Sequence, residues 1–223
     1  MSEPKLRGHV FDRAADFGVH TGVRPHWSQA ATITFITLRL RDSIPSEIVT
    51  RWDRERMAFL QRCGISDVKD WREGRERLGP DDRTRFEKQF RRARETCLDE
   101  CRGACELGDP QNARIVADCL RHFDGERYLL GDFVVMPNHV HLLAVFPSQE
   151  TLPRQCTSWM RYSARSINER IGRRGRLWQP EPFDHLVRSE TQLNYVRDYI
   201  RDNPLKARLR KGQYLHCPSG GAF

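Results

Sequence analysis

Residues 128–146 read YLLGDFVVMPNHVHLLAVF, and this stretch decides the fold. Tyr128–Met136 and His139–Phe146 are two apolar, β-branched runs separated only by Pro137-Asn138. Two residues suit a tight turn, so the runs read as an antiparallel hairpin, which Pro147-Ser148 ends. In a strand, residues i and i+2 share a face. His139 and His141 therefore stand side by side, and Val140 points the other way. Two imidazoles can share one cation, but a catalytic metal usually takes at least three protein groups and keeps positions open. By spacing alone, two surface-facing histidines explain the pair at least as well.

Upstream, Thr32–Leu40 (TITFITLRL) alternates apolar with polar residues and reads as a strand. Ser43–Ser46 is a turn in which Ser46 can cap a helix running through Trp52, Phe59 and Leu60. Residues 63–80 look irregular. Residues 81–97 form a charged helix with Phe86 and Phe90 four apart. Gly103, Gly108 and Pro110 mark a loop, and Asp109-Pro110 opens a helix through Ile115, Val116, Cys119 and Leu120. Downstream, a helix is expected over 150–171, then a Gly172–Gly175 loop, extended segments at 177–178 and 183–188, and a helix over 191–202 stopped by Pro204.

The order β-α-(α-α)-β-β-α-β-α is a split βαβ layout. The expected class is α+β: a ferredoxin-like antiparallel sheet with helices on one face and a helical insertion at about 63–125. Residues 1–29 are read as an extension with little regular structure, 30–210 as a single domain, and 211–223 as a flexible tail. Internal repeats and low-complexity segments are absent.

The charge is unevenly placed. The chain carries +8 overall, and residues 151–223 hold 14 Lys/Arg against 6 Asp/Glu, so the entire excess lies in the last third. Arginine dominates that third, and its planar fork suits phosphate. A solvated basic surface is the plainer alternative. No apolar run approaches the roughly 20 residues of a membrane span. The N-terminus lacks a signal-peptide core, so a cytoplasmic protein is expected. Seven cysteines include no CxxC pair. They read as reduced, packed thiols, and Cys97, Cys101 and Cys105 as structural rather than as a zinc site.

Three motifs carry a resemblance. Val134–Leu143 (VVMPNHVHLL), Phe183–Arg188 (FDHLVR) and Tyr199–Ala207 (YIRDNPLKA) occur in this order. The chain resembles the HUH-type transposases of the IS200/IS605 group, in particular the REP-associated tyrosine transposases, over about residues 26–210. His26-Trp27 also matches that pattern.

The resemblance implies an HUH endonuclease fold and names roles. Tyr199 would be the nucleophile, attacking a DNA phosphorus to leave a 5′-phosphotyrosine and a free 3′-OH. His139, His141 and Asn203 would hold a divalent metal, Mg²⁺ or Mn²⁺. Asn203 lies four residues after Tyr199, on the same helical face; before Pro204 it also reads as a helix end. Tyr195, one turn before Tyr199, is a rival nucleophile, otherwise a packing residue or a DNA contact. His185 is placed beside the site, outside the ligand set.

Arg161 and Arg165, four apart on the 150–171 helix, form a candidate DNA track with Arg173, Arg174 and Arg176; Lys206 is a further candidate contact. Trp159, Tyr162 and Trp178 are interleaved and could stack bases, although Trp159 and Trp178 read better as core. The expected partner is single-stranded DNA with hairpin or palindromic ends, and the chain would act as a monomer or a homodimer. The expected activity is nicking and joining of that DNA. The alternative is a catalytically silent binding protein that keeps the fold. A replication-initiator nuclease and a simple metallohydrolase are disfavoured, the first by the single-tyrosine Asn-Pro segment.

Overall fold

The computed structural model describes residues 6–21 and 25–219, which divide into two compact units. The first comprises the chain up to Arg41 and from Ala104 onward; the second is Asp42–Gly103.

The first unit is built on a five-stranded antiparallel sheet in the order β6-β3-β5-β4-β7. Its central hairpin joins β4 (Leu129–Val135) to β5 (His139–Val145). Met136 N–H donates to the His139 carbonyl at 2.8 Å and closes the Pro137-Asn138 turn. β3 (Ile33–Arg39) pairs with β5 along its whole length. β6 (Phe183–Leu186) pairs with the outer side of β3. These four strands supply the split βαβ arrangement expected from sequence. A register shift between Leu130 and Phe133 marks a bulge at Gly131-Asp132, where glycine costs the strand least.

Every residue of β5 is buried, which explains why HVHLLAV shows no apolar–polar alternation: the sheet is covered on both faces. One face carries Leu38, Leu40, Val140, Leu142 and Ala144 against α4 (Pro110–Arg121) and α5 (Thr151–Arg170). The other carries Ile33, Val134, Leu143 and Val145 against Leu193, Val196 and Ile200 of α6 (Glu190–Lys206). The expectation of helices on one face therefore describes α4 and α5 only. α6 covers the opposite face because its apolar stripe repeats at 193, 196 and 200, a helical period.

Trp159 is 2% exposed in the α5 core. Its indole N–H donates to Tyr128 Oη at 3.1 Å, and that hydroxyl donates to the Leu120 carbonyl at 2.7 Å. Trp178 is likewise buried, donating to Ser163 Oγ at 3.0 Å. Neither indole is a stacking platform, whereas Tyr162 is 62% exposed. Trp159→Ala is expected to lower unfolding free energy in urea by about 3–5 kcal/mol. Tyr162→Ala should change it by no more than about 0.5 kcal/mol.

Three expectations change at the ends of this unit. The N-terminal segment contains β1 (Gly18–Thr21) paired with β2 (Pro25–Ser28). The tail contains β7 (Leu215–Cys217), which pairs with β4. The first is a separate two-stranded sheet and the second adds an edge strand to the main one; both are short, without an apolar run to announce them. α6 continues to Lys206, with Pro204 inside it. Proline there forfeits one backbone bond, but Ala207 N–H reaches the Asn203 carbonyl at 3.0 Å and the last turn persists.

The second unit holds α1 (Ser46–Arg62), α2 (Trp71–Glu76) and α3 (Pro80–Asp99). Its core gathers Phe59, Leu60, Ile65, Leu78, Phe86 and Phe90. The Arg56 guanidinium lies 4.4 Å from the Trp71 ring centroid and 5.0 Å from that of Phe90, a buried cation–π contact. Residues 63–80, read as irregular, include α2, whose first turn is capped by Asp70 accepting from Arg72 and Glu73 N–H. Ser46 does not cap α1; Pro45 occupies the N-cap position without a side-chain bond. The compact helical unit is thus 42–103 rather than 63–125, because Leu107, Val116 and Leu120 pack into the sheet core. Cys97 is buried in α3, Cys101 and Cys105 follow it with positive φ, and none of the seven cysteines is in a disulfide.

Candidate functional site

The register of β3, β5 and β6 fixes which side chains share the α6 face. Thr37 pairs with His141 and Arg39 with His139; Phe35 pairs with His185 and Thr37 with Phe183. These residues project toward α6 together with the two histidines, while Val140 lies in the core on the other side.

Both imidazoles are buried and oriented. His139 Nδ1 donates to Asn138 Oδ1 at 2.7 Å. An amide oxygen only accepts, so Nδ1 carries the proton and Nε2 keeps its lone pair. His141 Nδ1 is 2.9 Å from Thr37 Oγ1, which holds the second ring. The His141 ring stacks on Phe35 at 5.3 Å between centroids. Burial, followed by the charge of Arg39, pushes the His139 pKa from 6.5 down to about 3, against a smaller opposing effect of Asn203. Burial, then His139 and Arg39, holds His141 well below the ordinary histidine range. At neutral pH both rings are neutral and able to donate lone pairs.

α6 brings the remaining groups. Tyr199 Oη lies 3.4 Å from His141 Nε2, a long hydrogen bond. Asn203, one turn on, is completely buried near His139. Its Oδ1 and Nδ2, and His139 Nε2, are buried without a hydrogen-bond partner. Three unpaired polar atoms in one buried spot are costly, about 1–3 kcal/mol each, unless something else binds there.

Among the described residues no group of three or more His, Cys, Asp or Glu could hold a metal. The donor set here differs: two imidazole nitrogens and one amide oxygen. Two buried acceptors, His139 Nε2 and Asn203 Oδ1, belong to neighbouring side chains, and the His139 and His141 rings lie 4.5 Å apart between centroids. This set fits a divalent cation with three protein ligands and open positions.

The neutral histidines give a pH prediction for metal-free protein. Their folded pKa values lie below the unfolded value, so the unfolded state binds more protons as pH falls through about 6.5 and stability drops. The urea midpoint should therefore be lower near pH 5 than near pH 7.5. An unchanged midpoint would mean that the rings are not buried neutral.

Other expected site residues are placed differently. Tyr195 is 67% exposed and parallel to Tyr199, with centroids 6.4 Å apart. Its side chain is not part of the core. Lys206 Nζ stands 5.1 Å from the Tyr199 ring centroid, so it belongs to this site. His185 shares the face, but β3 separates it from the histidine pair, and its Nε2 is 2.6 Å from Gln192 Nε2 of α6. The neighbouring Asp184 turns to the other face, where its carboxylate binds His26 Nδ1 at 2.8–2.9 Å. His26 thereby ties β2 to β6.

The arginine track lies apart from the histidines. α5 covers the opposite face of the sheet, and Arg161 and Arg165 are on its outer side. Arg165 pairs with Glu169 at 2.9 Å, and Arg173 pairs with the largely buried Glu106. Arg174 and Arg176 are exposed. Their loop returns at the His139 end of the sheet, where the Leu177 carbonyl accepts from Arg41 N–H at 2.8 Å and Gln179 N–H donates to the Arg39 carbonyl.

Arg39 was not singled out from sequence. It is 6% exposed, opposite His139 across the strand pair, with its guanidinium carbon 5.7 Å from the Phe183 ring centroid. A charged residue between Leu38 and Leu40 in a buried strand was the available signal; its proximity to the histidines required the register.

No family model and no curated protein matches the chain. A solved structure described as a REP-associated tyrosine transposase bound to a REP hairpin is similar to it, at 16% identity over 83% of this chain and 74% of that chain, with a TM-score of 0.41. That description names the family that the three sequence motifs resemble. At this level the likeness adds nothing to the assignment of the site, which rests on the residues above.

Proposed function

We propose that the protein is a divalent-metal-dependent enzyme that cuts and rejoins single-stranded DNA at hairpin-marked ends, with Tyr199 as nucleophile. The observation that carries this reading is the meeting, within one chain, of the His139–His141 strand with both Tyr199 and Asn203 of α6, around polar atoms that lack protein partners.

In the proposed reaction Tyr199 Oη attacks phosphorus in line with the leaving 3′ oxygen. The tyrosyl O–P bond forms, the P–O3′ bond breaks, and the released 3′ oxygen takes up a proton. The phosphotyrosine keeps the phosphodiester energy, so a 3′-OH can attack it in reverse and restore a DNA strand without ATP. A cation held by His139, His141 and Asn203 would polarise the phosphate and offset its developing charge. The protein's own part is orientation. Asn138 and Thr37 fix the imidazoles, Phe35 walls one side, and α6 carries nucleophile and amide ligand one turn apart. The exposed Arg174 and Arg176, and the net positive last third of the chain, support DNA as the substrate. No helix among the described residues is long and apolar enough to cross a membrane.

The test is a labelled single-stranded oligonucleotide bearing an imperfect hairpin, incubated with protein and Mn²⁺ or Mg²⁺. An SDS-resistant protein–DNA adduct is expected with metal and not with chelator. Binding without any adduct across a panel of hairpin strands would favour a silent DNA-binding protein.

A further inference from the structure

A groove runs along α5, the helix that covers the sheet face opposite the histidine pair. It consists of two hollows. One, of about 470 Å³, lies between Val19 and Trp27 of the β1–β2 pair and Arg154 of α5. The other, of about 350 Å³, lies between Arg161 of α5 and Arg176. Thr157, Met160 and Pro180 line both, so the hollows are continuous. Pro153, Thr157, Met160 and Ala164 recur three and four residues apart and form one helical face of the groove. That face is about 16 Å long.

The rim is cationic. Arg154 and Arg161 stand two turns apart on α5, with Arg176 on the facing segment. Among the described residues Arg161 and Arg176 form no ion pair, whereas Arg165 and Arg173 are held by Glu169 and Glu106. Trp27 and Val19 are exposed at the far end although both are apolar, and Trp27 stacks on Phe17 at 5.1 Å between centroids. Arginine forks over an apolar and aromatic floor suit an unpaired strand, whose phosphates meet the rim while its bases leave water. A duplex keeps its bases stacked inside and would use the rim alone. The Arg176 end lies at the His139 end of the sheet, where Gln179 N–H donates to the Arg39 carbonyl at 2.8 Å. A strand leaving the groove there is directed toward the chemistry.

We propose that this groove is a second DNA-binding site that holds unpaired nucleotides of the strand being processed, with bases against Trp27 and Met160 and phosphates on Arg154, Arg161 and Arg176. The proposal rests on the DNA-cleaving function above for the source of the strand.

The probe is a fluorescent thymidine oligonucleotide of about ten residues, which forms no hairpin, titrated with the full chain in chelator. Each variant is first checked by thermal melting. Wild type should bind the probe. Arg161→Ala/Arg176→Ala should weaken binding at least about tenfold and lower the salt slope by roughly 0.7 per lost phosphate contact. Thr157→Trp keeps every charge but fills the groove where the hollows join, and should weaken binding on the order of tenfold. Arg91→Ala/Arg92→Ala removes two exposed arginines of α3 and should stay within about threefold of wild type.

Wild-type affinity in Arg161→Ala/Arg176→Ala, or an equal loss in the α3 control, overturns the proposal. Loss with the alanines but not with Thr157→Trp also overturns it, because only a charged surface would remain. Wild type that forms the adduct on hairpin DNA but ignores the plain strand refutes the groove alone. Groove-dependent binding without any adduct refutes the DNA-cleaving reading alone.

Discussion

Tyr199→Phe is expected to abolish the covalent protein–DNA adduct, a loss on the order of 10⁴-fold or more, as for removal of any obligatory nucleophile. The variant should fold normally. The hydroxyl lies 3.4 Å from His141 Nε2, a contact too long to contribute much stability. The Phe35 and His141 rings that flank Tyr199 are unaffected by the change. Tyr195→Phe is the matched control. Tyr195 lies parallel to Tyr199 but mostly in solvent, without a contact to either histidine among those described. It should retain the adduct. An adduct that survives Tyr199→Phe and disappears in Tyr195→Phe would exchange the two roles.

Asn203→Leu should separate stability from function. Both amide atoms are fully buried without a well-formed hydrogen bond, which is a standing cost. Leucine has a similar branched shape and no polar atoms. Its introduction is expected to raise the unfolding free energy of the metal-free protein by about 1–2 kcal/mol. It should also weaken Mn²⁺ binding by at least about tenfold, measured by calorimetry, and remove adduct formation. Destabilisation with intact metal binding would show that Asn203 has a structural role. The helix continuing through Pro204 to Lys206 already removes the simplest such role, that of a helix end.

The site was legible where sequence spacing alone dictates geometry. The i, i+2 rule put His139 and His141 on one face, and the i, i+4 rule aligned Tyr199 with Asn203; both are local and do not depend on the rest of the fold. The hairpin followed from a two-residue turn between strong strand formers. What escaped was tertiary. Arg161 and Arg165 sit in the same third of the chain as Tyr199, yet α5 and α6 pack on opposite faces of the sheet, which neither charge nor periodicity reveals. Arg39 needed the β3–β5 register to meet His139. The β1–β2 and β4–β7 pairings are formed by short segments stabilised by backbone bonds rather than by an apolar pattern. Pro204 was read as a stop because proline usually breaks a helix, whereas buried packing of its ring and of Ile200 carries the helix one turn further.

The central claim is that the phosphotyrosine forms on Tyr199, and trypsin makes it directly readable. Cleavage after Arg188, Arg197 and Arg201 puts Tyr195 in the peptide 189–197 and Tyr199 in the peptide 198–201. Adduct made with Mn²⁺ and a hairpin oligonucleotide, trimmed by nuclease and digested, is then weighed by tandem mass spectrometry. The account predicts a residual nucleotide on Tyr199 in the peptide 198–201. A nucleotide on Tyr195, or an adduct mapping outside α6, would contradict it.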